Sequence, residues 1–244
     1  MSDDISSYRE RRGLGAAFAL CGLASLILLA NHPSGGGTQS LVDFMKDEAH
    51  NAFIDGLVHG GFIVVLGALI VCFVFLARCL GSARVPVVVG LVAFCIGCGA
   101  LIASMILDGF VTPAIATRFG GTDGAENLAT ARTLLIFCGM LIRFLMPTGM
   151  LFQFVTMLSW SSVIVKGRGL PRAVGVFGLA AAPGLIVLLF AVPAATAAHV
   201  LLGGIVLQAV WYFALVALLF SRGSWPLGGS EPTQAAPRGV GSPG

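Results

Sequence analysis

One stretch of the chain, Asp47 to Gly61, concentrates acidic and imidazole side chains immediately before a long apolar run. On a helix with 100° per residue, Glu48, Asp55 and His59 fall within about 40° of one another and form one stripe. His50 points to the opposite side, because its separation from His59 is two and a half turns. Carboxylates and an imidazole on one face can ligate a metal ion or relay a proton. This stretch is therefore the first candidate for a functional site.

The composition places this stretch in a membrane protein. Hydrophobic residues make up 57% and charged residues 10% of the 244-residue chain, and the mean hydropathy is +0.96. Soluble domains have about 45–50% and about 25% of these classes, so a soluble globular protein is excluded. The net charge of +3 comes from arginines that flank apolar runs, and no nucleic-acid partner is predicted.

Six apolar segments predict an all-α fold, a polytopic bundle of six transmembrane helices in contact with the lipid bilayer. The predicted spans are about 13–31, 58–80, 86–107, 137–160, 173–193 and 199–220, within a transmembrane domain at 13–221. No small-residue cleavage site follows the first run, which predicts an uncleaved helix after a polar N-terminus at 1–12. Residues 222–244 are rich in Gly, Pro and Ser and are predicted to form a disordered tail.

Two amphipathic segments, 41–57 and 109–136, are predicted to extend helices beyond the bilayer on the outer side. Ser40 stands three residues before Asp43, a capping pattern that predicts one helix from Leu41 through Leu80. Such a helix is too long for one crossing of about 20 residues, so it protrudes or bends at its paired glycines.

Glycine and proline residues also interrupt the segment that follows the third span. Gly109 and Pro113 should bend or restart the helix there, and Gly120 should end it. Asp123 then predicts the start of the next helix, which continues to about Val165 and is again too long for a single crossing.

Lysine and arginine are distributed very unequally between the two sides. Ten lie on one side (Arg9, Arg11, Arg12, Arg78, Arg84, Lys166, Arg168, Arg172, Arg222 and Arg238) and three on the other (Lys46, Arg118 and Arg132). The positive-inside rule therefore predicts that both termini are cytoplasmic, in a membrane such as a bacterial-type inner membrane. All four histidines fall on the outer half, so any chemistry is expected there.

Four ionisable residues from four spans are predicted to share one depth near the outer membrane edge: His59, Asp108, Arg143 and His199. Each lies 19–24 residues from the basic residue that ends its helix on the inner side. At about 1.5 Å per residue this places them roughly 28–36 Å above the inner boundary. Asp55, one turn above His59, is expected to hydrogen-bond its ring.

Arg143 has apolar neighbours on both sides and needs an anionic partner. Asp108 is the predicted partner, because consecutive helices usually pack together and the two residues share a depth. The alternative is that these groups are ordinary snorkelling side chains at helix ends.

Three functions are compatible with these residues. His59 and His199, with Asp55, Asp108 or Glu48, could bind a transition metal, or the two histidines could hold a haem. Alternatively, the same residues transport a small molecule or a proton, with Gln153 and Gln208 lining the path or bonding to each other between helices.

The third alternative is a structural or accessory subunit that binds a membrane-protein partner through its Gly- and Ala-rich helix faces, such as Ala93/Gly97 and Gly99/Ala103. No nucleophile, phosphate-binding or paired-histidine motif is present, so the sequence assigns no reaction. The six cysteines lie within apolar runs, and the Cys95–Cys98 pair is interpreted as packing rather than as a redox or metal pair.

Overall fold

A computed structural model describes residues 2–32, 40–120, 124–191 and 197–221, and every described element is helical. The elements are α1 (Ser2–Ala30), α2 (Leu41–Leu80), α3 (Val85–Ile106), a π-helical turn (Leu107–Val111), α4 (Thr112–Phe119), α5 (Ala125–Ile164), α6 (Leu170–Ala191) and α7 (Ala197–Phe220). Within these described ranges six helices are long and apolar enough to cross a membrane, as predicted. The protein is an integral membrane protein by this criterion.

Most helix boundaries follow from local chemistry. Ser40 caps α2 by accepting a hydrogen bond from the Asp43 amide at 3.2 Å, and its hydroxyl donates to the Asp43 carboxylate. Gly81 ends α2 in the left-handed region at φ 88°, where a side chain would be strained. Pro86 stands in the first turn of α3, the helical position that tolerates proline best.

Two predicted boundaries need comment. The helix that contains the first predicted span begins at Ser2, because the polar segment before Gly13 contains no glycine or proline to interrupt it. The fourth predicted span is preceded by a helix start at Ala125, with Gly124 at the cap position. Asp123 and the predicted tail at 222–244 lie outside the described residues.

The main hydrophobic core of the described residues joins the six long helices, and at its centre aromatic side chains of α1, α2, α3, α5 and α7 meet. The Phe73 ring of α2 stacks on Phe94 of α3, with centroids 3.7 Å apart, and contacts Trp160 of α5 at 4.9 Å. Phe18 of α1 and Tyr212 of α7 pack against the same ring. Burying such large rings is the main stabilising contribution that packing makes here.

Helices α3 and α5 approach most closely at a pair of glycines. A Cβ atom on Gly97 would lie 2.9 Å from the carbonyl oxygen of Gly149, and one on Gly149 would lie 3.0 Å from that of Gly97. Ala93 and Gly97 are both buried in this contact, whereas Gly99 faces open space. Of the two small-residue faces named for a partner protein, the Ala93/Gly97 face is therefore packed against α5 within the chain.

A polar network links α3, α5 and α7 in the interior. Gln208 donates to the Gln153 side-chain oxygen at 2.9 Å, and Gln153 donates to the Cys98 sulfur at 3.4 Å. Tyr212 also donates to Gln153, at 2.9 Å. The two glutamines thus form the interhelical bonds that were one of the two sequence interpretations. Cys98 is buried in this network while Cys95 is exposed, which favours packing over a shared dithiol site.

A second, smaller cluster lies at the far end of α2. Met45, Ala116 and Ala131 are its fully buried members, one each from α2, α4 and α5. We call the part of the molecule that they hold together, α2 residues 41–57, α4 and α5 residues 125–136, the cap. The candidate site residues His59 and Asp108 lie where the cap meets the rest of the bundle.

Candidate metal site

The π-helical turn places an acidic residue and a glycine against α2. One extra residue per turn widens the helix at Leu107–Val111, and such turns are frequent at functional sites. The turn carries Asp108 and Gly109 and packs against the second half of the Asp47 to Gly61 stretch. Here the sequence prediction of a bend or restart near Gly109 is matched by an irregular turn within a continuing helix.

His59 is held between α2 and this turn. Its side chain is 2% exposed, and its Nδ1 lies 2.9 Å from the backbone carbonyl oxygen of Asp55. A carbonyl oxygen can only accept, so Nδ1 carries the hydrogen and donates it. In the neutral ring Nε2 then has a free lone pair, and Nε2 lies 3.2 Å from the Asp108 carboxylate. Two electron-rich atoms at this distance require a proton or a metal cation between them.

Gly109 makes this position of His59 possible. A Cβ atom built on Gly109 would overlap the Cβ and Cγ atoms of His59. The glycine backbone therefore forms the wall against which the imidazole ring packs. Any larger residue would force the ring or the turn to move.

His32 completes a cluster of three residues. It lies two residues after the end of α1, and its ring meets the His59 ring edge-on with centroids 4.9 Å apart. One ligand atom each from His32, His59 and Asp108 all lie within 4.8 Å of one another. His32 is exposed and His59 is buried, so the cluster is accessible from one side only.

Sequence reasoning missed His32 as a site residue. It was counted only as one of the four histidines on the outer half and was given no role in the site. The available signal was that all four histidines fall on the outer half of the predicted transmembrane topology. His50 is exposed on α2, away from the cluster, as its spacing predicted.

Of the remaining predicted site residues, Asp55 acts through its backbone, and the His199 side chain is not described. Asp55 is 7% exposed and contributes its backbone carbonyl to His59, where the sequence suggested a bond to the ring without specifying which oxygen. His199 stands in the first turn of α7, and its side chain lies outside the described part of the structure.

The predicted Arg143–Asp108 pair is not formed. Among the described residues Asp108 pairs with His59, and Arg143 is exposed on α5 next to Phe144, which is 70% exposed. Equal depth does not make two residues face each other, because the rotation of α5 about its axis turns Arg143 away from the bundle. An exposed arginine at a membrane edge can reach water or lipid head groups with its long side chain.

Glu48 adds negative charge near the cluster, ten residues before the predicted span at 58–80. Burial first, and then the Asp55 and Asp108 carboxylates, raise the pKa of Glu48, while His59 lowers it, and the resulting pKa is about 7. A carboxyl group with this pKa is held in surroundings that disfavour its own charge. A bound cation would relieve that repulsion.

No protein-family model matches the chain, and comparisons with curated proteins and with solved structures find no match either. The function must therefore be inferred from the residues themselves.

We expect Glu48→Gln to stabilise the metal-free protein at pH 8 and to have little effect near pH 4.5. The pKa of Glu48 is about 7 in the folded protein and 4.5 ordinarily, so the ionised carboxylate lowers the stability of the folded state as the pH rises from about 4.5 to about 7 and above. Below pH 4.5 the group is neutral in both states and has no such cost. The expected gain at pH 8 is on the order of 1 kcal/mol, because solvent screens a half-exposed group. Thermal unfolding in detergent with a chelator measures it at both pH values. An equal shift at both would show that the charge is not the cause.

Proposed function

We propose that this protein binds a divalent transition-metal ion through His32, His59 and Asp108. The observation that supports the proposal best is the pairing of a buried imidazole Nε2 with a carboxylate at 3.2 Å, while Nδ1 is committed to the Asp55 carbonyl. Neutral imidazole and carboxylate are ordinary ligands of zinc and of other first-row metals. Two histidines and one carboxylate leave coordination positions open for water or a small ligand.

The distances suit a small ion. Metal–ligand bonds of about 2.0–2.2 Å in a tetrahedral site place neighbouring ligand atoms about 3.3–3.5 Å apart. His59 Nε2 and Asp108 Oδ2 are 3.2 Å apart, so a separation slightly larger than the present one would admit the ion. His32, within 4.8 Å of both, needs only a small movement, and it stands at a helix end where such a movement is easiest.

The surroundings also favour a cation. The bond from His59 to a backbone carbonyl fixes the ring orientation and tautomer, which is how metal-binding histidines are usually held. Glu48 and Asp55 add carboxylates nearby, which increases the local attraction for a positive ion. A haem fits less well, because the His59 ring lies against Gly109 on one side and its Nε2 faces Asp108.

We further propose that the cap lies outside the bilayer on the outer side, with both termini in the cytoplasm of a cell with a bacterial-type inner membrane. Helix α2 has 40 residues and is about 60 Å long, twice the thickness of a hydrocarbon core. The ten-to-three distribution of basic residues supports this orientation. The metal site would then stand at the outer membrane edge. An accessory role is less favoured, because α5 occupies the Ala93/Gly97 face.

Metal analysis of the purified protein tests the proposal. We expect about one equivalent of zinc or another first-row metal after reconstitution of chelator-treated protein, and at least about 100-fold weaker binding in His59→Gln. A metal present at 100 times its dissociation constant should stabilise the wild type by about 2.7 kcal/mol. His50→Gln is the matched control, since it removes an exposed histidine from the same helix.

The outcomes separate clearly. Equal metal content in the wild type and in His59→Gln would contradict the proposal, as would loss of metal in His50→Gln alone. Asp108→Asn keeps the shape of the side chain and should also weaken binding, because it removes the anionic ligand.

A further inference from the structure

A groove between α2 and α4 lies on the other side of the π-helical turn from His59. It is an open depression of about 420 Å³ lined mainly by short or apolar side chains, among them Ala52, Pro113 and Ala114. Its volume falls within the range of sites that hold small organic ligands. The groove exists because α4 presents an alanine and α2 an alanine where larger residues would close it.

The two ends of the groove differ in chemistry. At one end the half-exposed Phe110 ring lies over α2, where a Cβ on Gly60 would meet it at 3.4 Å. At the other end stands Arg118, whose guanidinium is exposed and 5.9 Å from the centre of the Phe119 ring. Within the described ranges no carboxylate forms an ion pair with Arg118. The ends are eight residues apart, or about 12 Å along the helix.

The charges and the exposed apolar surface near the groove both favour one orientation of a bound ligand. Asp108 lies beside the Phe110 end, so an anionic group is favoured at the Arg118 end only. Exposed apolar residues of α2 continue the surface next to the groove, with Phe53 80% and Leu57 63% exposed. In the orientation proposed above, Arg118 is further from the bilayer than Phe110. A lipid bound with its head group at Arg118 and its chain at Phe110 would therefore have the same direction as the lipids of the membrane.

We infer that this groove binds an anionic single-chain amphiphile, with its acyl chain along Ala52, Phe110 and Ala114 and its carboxylate or phosphate at Arg118. The apolar walls would cover the chain, and the guanidinium fork would bind the anionic head through charge-assisted hydrogen bonds. The site is separate from the metal cluster, since its ligand-contacting residues include none of the three proposed metal ligands.

Photolabelling in lipid nanodiscs tests the inference. The probe is a ten-carbon fatty acid with a photoreactive diazirine near its terminal methyl group, and the comparison probe is the corresponding alcohol. We expect mass spectrometry to find the fatty-acid label near Ala52 and Phe110, with about tenfold less label from the alcohol. Arg118→Gln should reduce the fatty-acid label about tenfold, and Ala114→Phe should remove it by filling the groove.

The controls distinguish this site from general contact with lipid. Arg143→Gln removes an exposed arginine outside the groove and should leave the label unchanged. Both groove positions are exposed, so the variants should fold, and an unchanged melting temperature checks this. The inference is overturned if both probes label equally or if Arg118→Gln and Ala114→Phe have no effect. It is also overturned if cross-linking finds a second copy of the chain covering the groove.

Discussion

Replacing Gly109 with alanine is expected to lower the free energy of unfolding by about 3 kcal/mol and to abolish metal binding. The new methyl group would occupy the space of the His59 Cβ and Cγ atoms, so either the ring leaves its position or the π-helical turn moves away from α2. Overpacking of this kind typically costs about 1–3 kcal/mol. The upper part of this range applies because neither the His59 Cβ atom nor the Gly109 backbone can move without shifting the helix that carries it. Displacing the ring also breaks its bonds to the Asp55 carbonyl and to Asp108.

Gly99→Ala is the matched control for this experiment. It lies on α3, ten residues before Gly109, and a Cβ atom there meets no heavy atom within 4 Å. Because alanine favours helix more than glycine does, the control should be neutral or stabilising by up to about 1 kcal/mol. Denaturant unfolding in detergent measures both variants, and metal analysis measures the site. A neutral Gly109→Ala variant that keeps its metal would show that His59 is not held as described.

The helices could be predicted from the sequence because their signals are local. Ser40 and Gly81 mark the two ends of α2 through capping and a left-handed turn, which depend on residues within one turn of the boundary. Apolar length alone then identifies the six candidate spans.

The site could be predicted in part. His59 and Asp108 were assigned to one level from the number of residues to the inner boundary, and the structure brings them into contact. The same count put Arg143 at that level, but a count along the axis contains no information on rotation about it. The apolar character of α5 on all sides gave no periodicity from which the buried face of the helix could be determined.

His32 illustrates a different limit. Its contact with His59 depends on where α1 ends relative to α2, a tertiary relation between two helices joined by a segment rich in glycine. No spacing rule connects residues 32 and 59. Gly109 is a similar case, because a glycine in a turn suggests backbone freedom, whereas the structure uses it for the close approach of an imidazole ring.

The last expected result concerns the His59–Asp108 pair in the metal-free protein. We expect His59→Leu to cost about 3 kcal/mol, because it leaves the Asp108 carboxylate without its partner in a partly buried position and removes the bond to the Asp55 carbonyl. Arg143→Ala, at an exposed position, should change stability by less than about 0.5 kcal/mol. The contrast between these two variants tests which residue is the partner of Asp108.

A double-mutant cycle measures the coupling directly. Asp108→Leu alone should destabilise the protein, since the His59 Nε2 would lose the group it faces. The double variant with His59→Leu should recover about 1–2 kcal/mol relative to the sum of the two single changes, a value moderated by the 38% exposure of Asp108. The measurement is unfolding in detergent with a chelator present, so that metal loss does not contribute. Strictly additive losses would mean that the two side chains do not interact, and the cation that we propose between them would then have no preformed site.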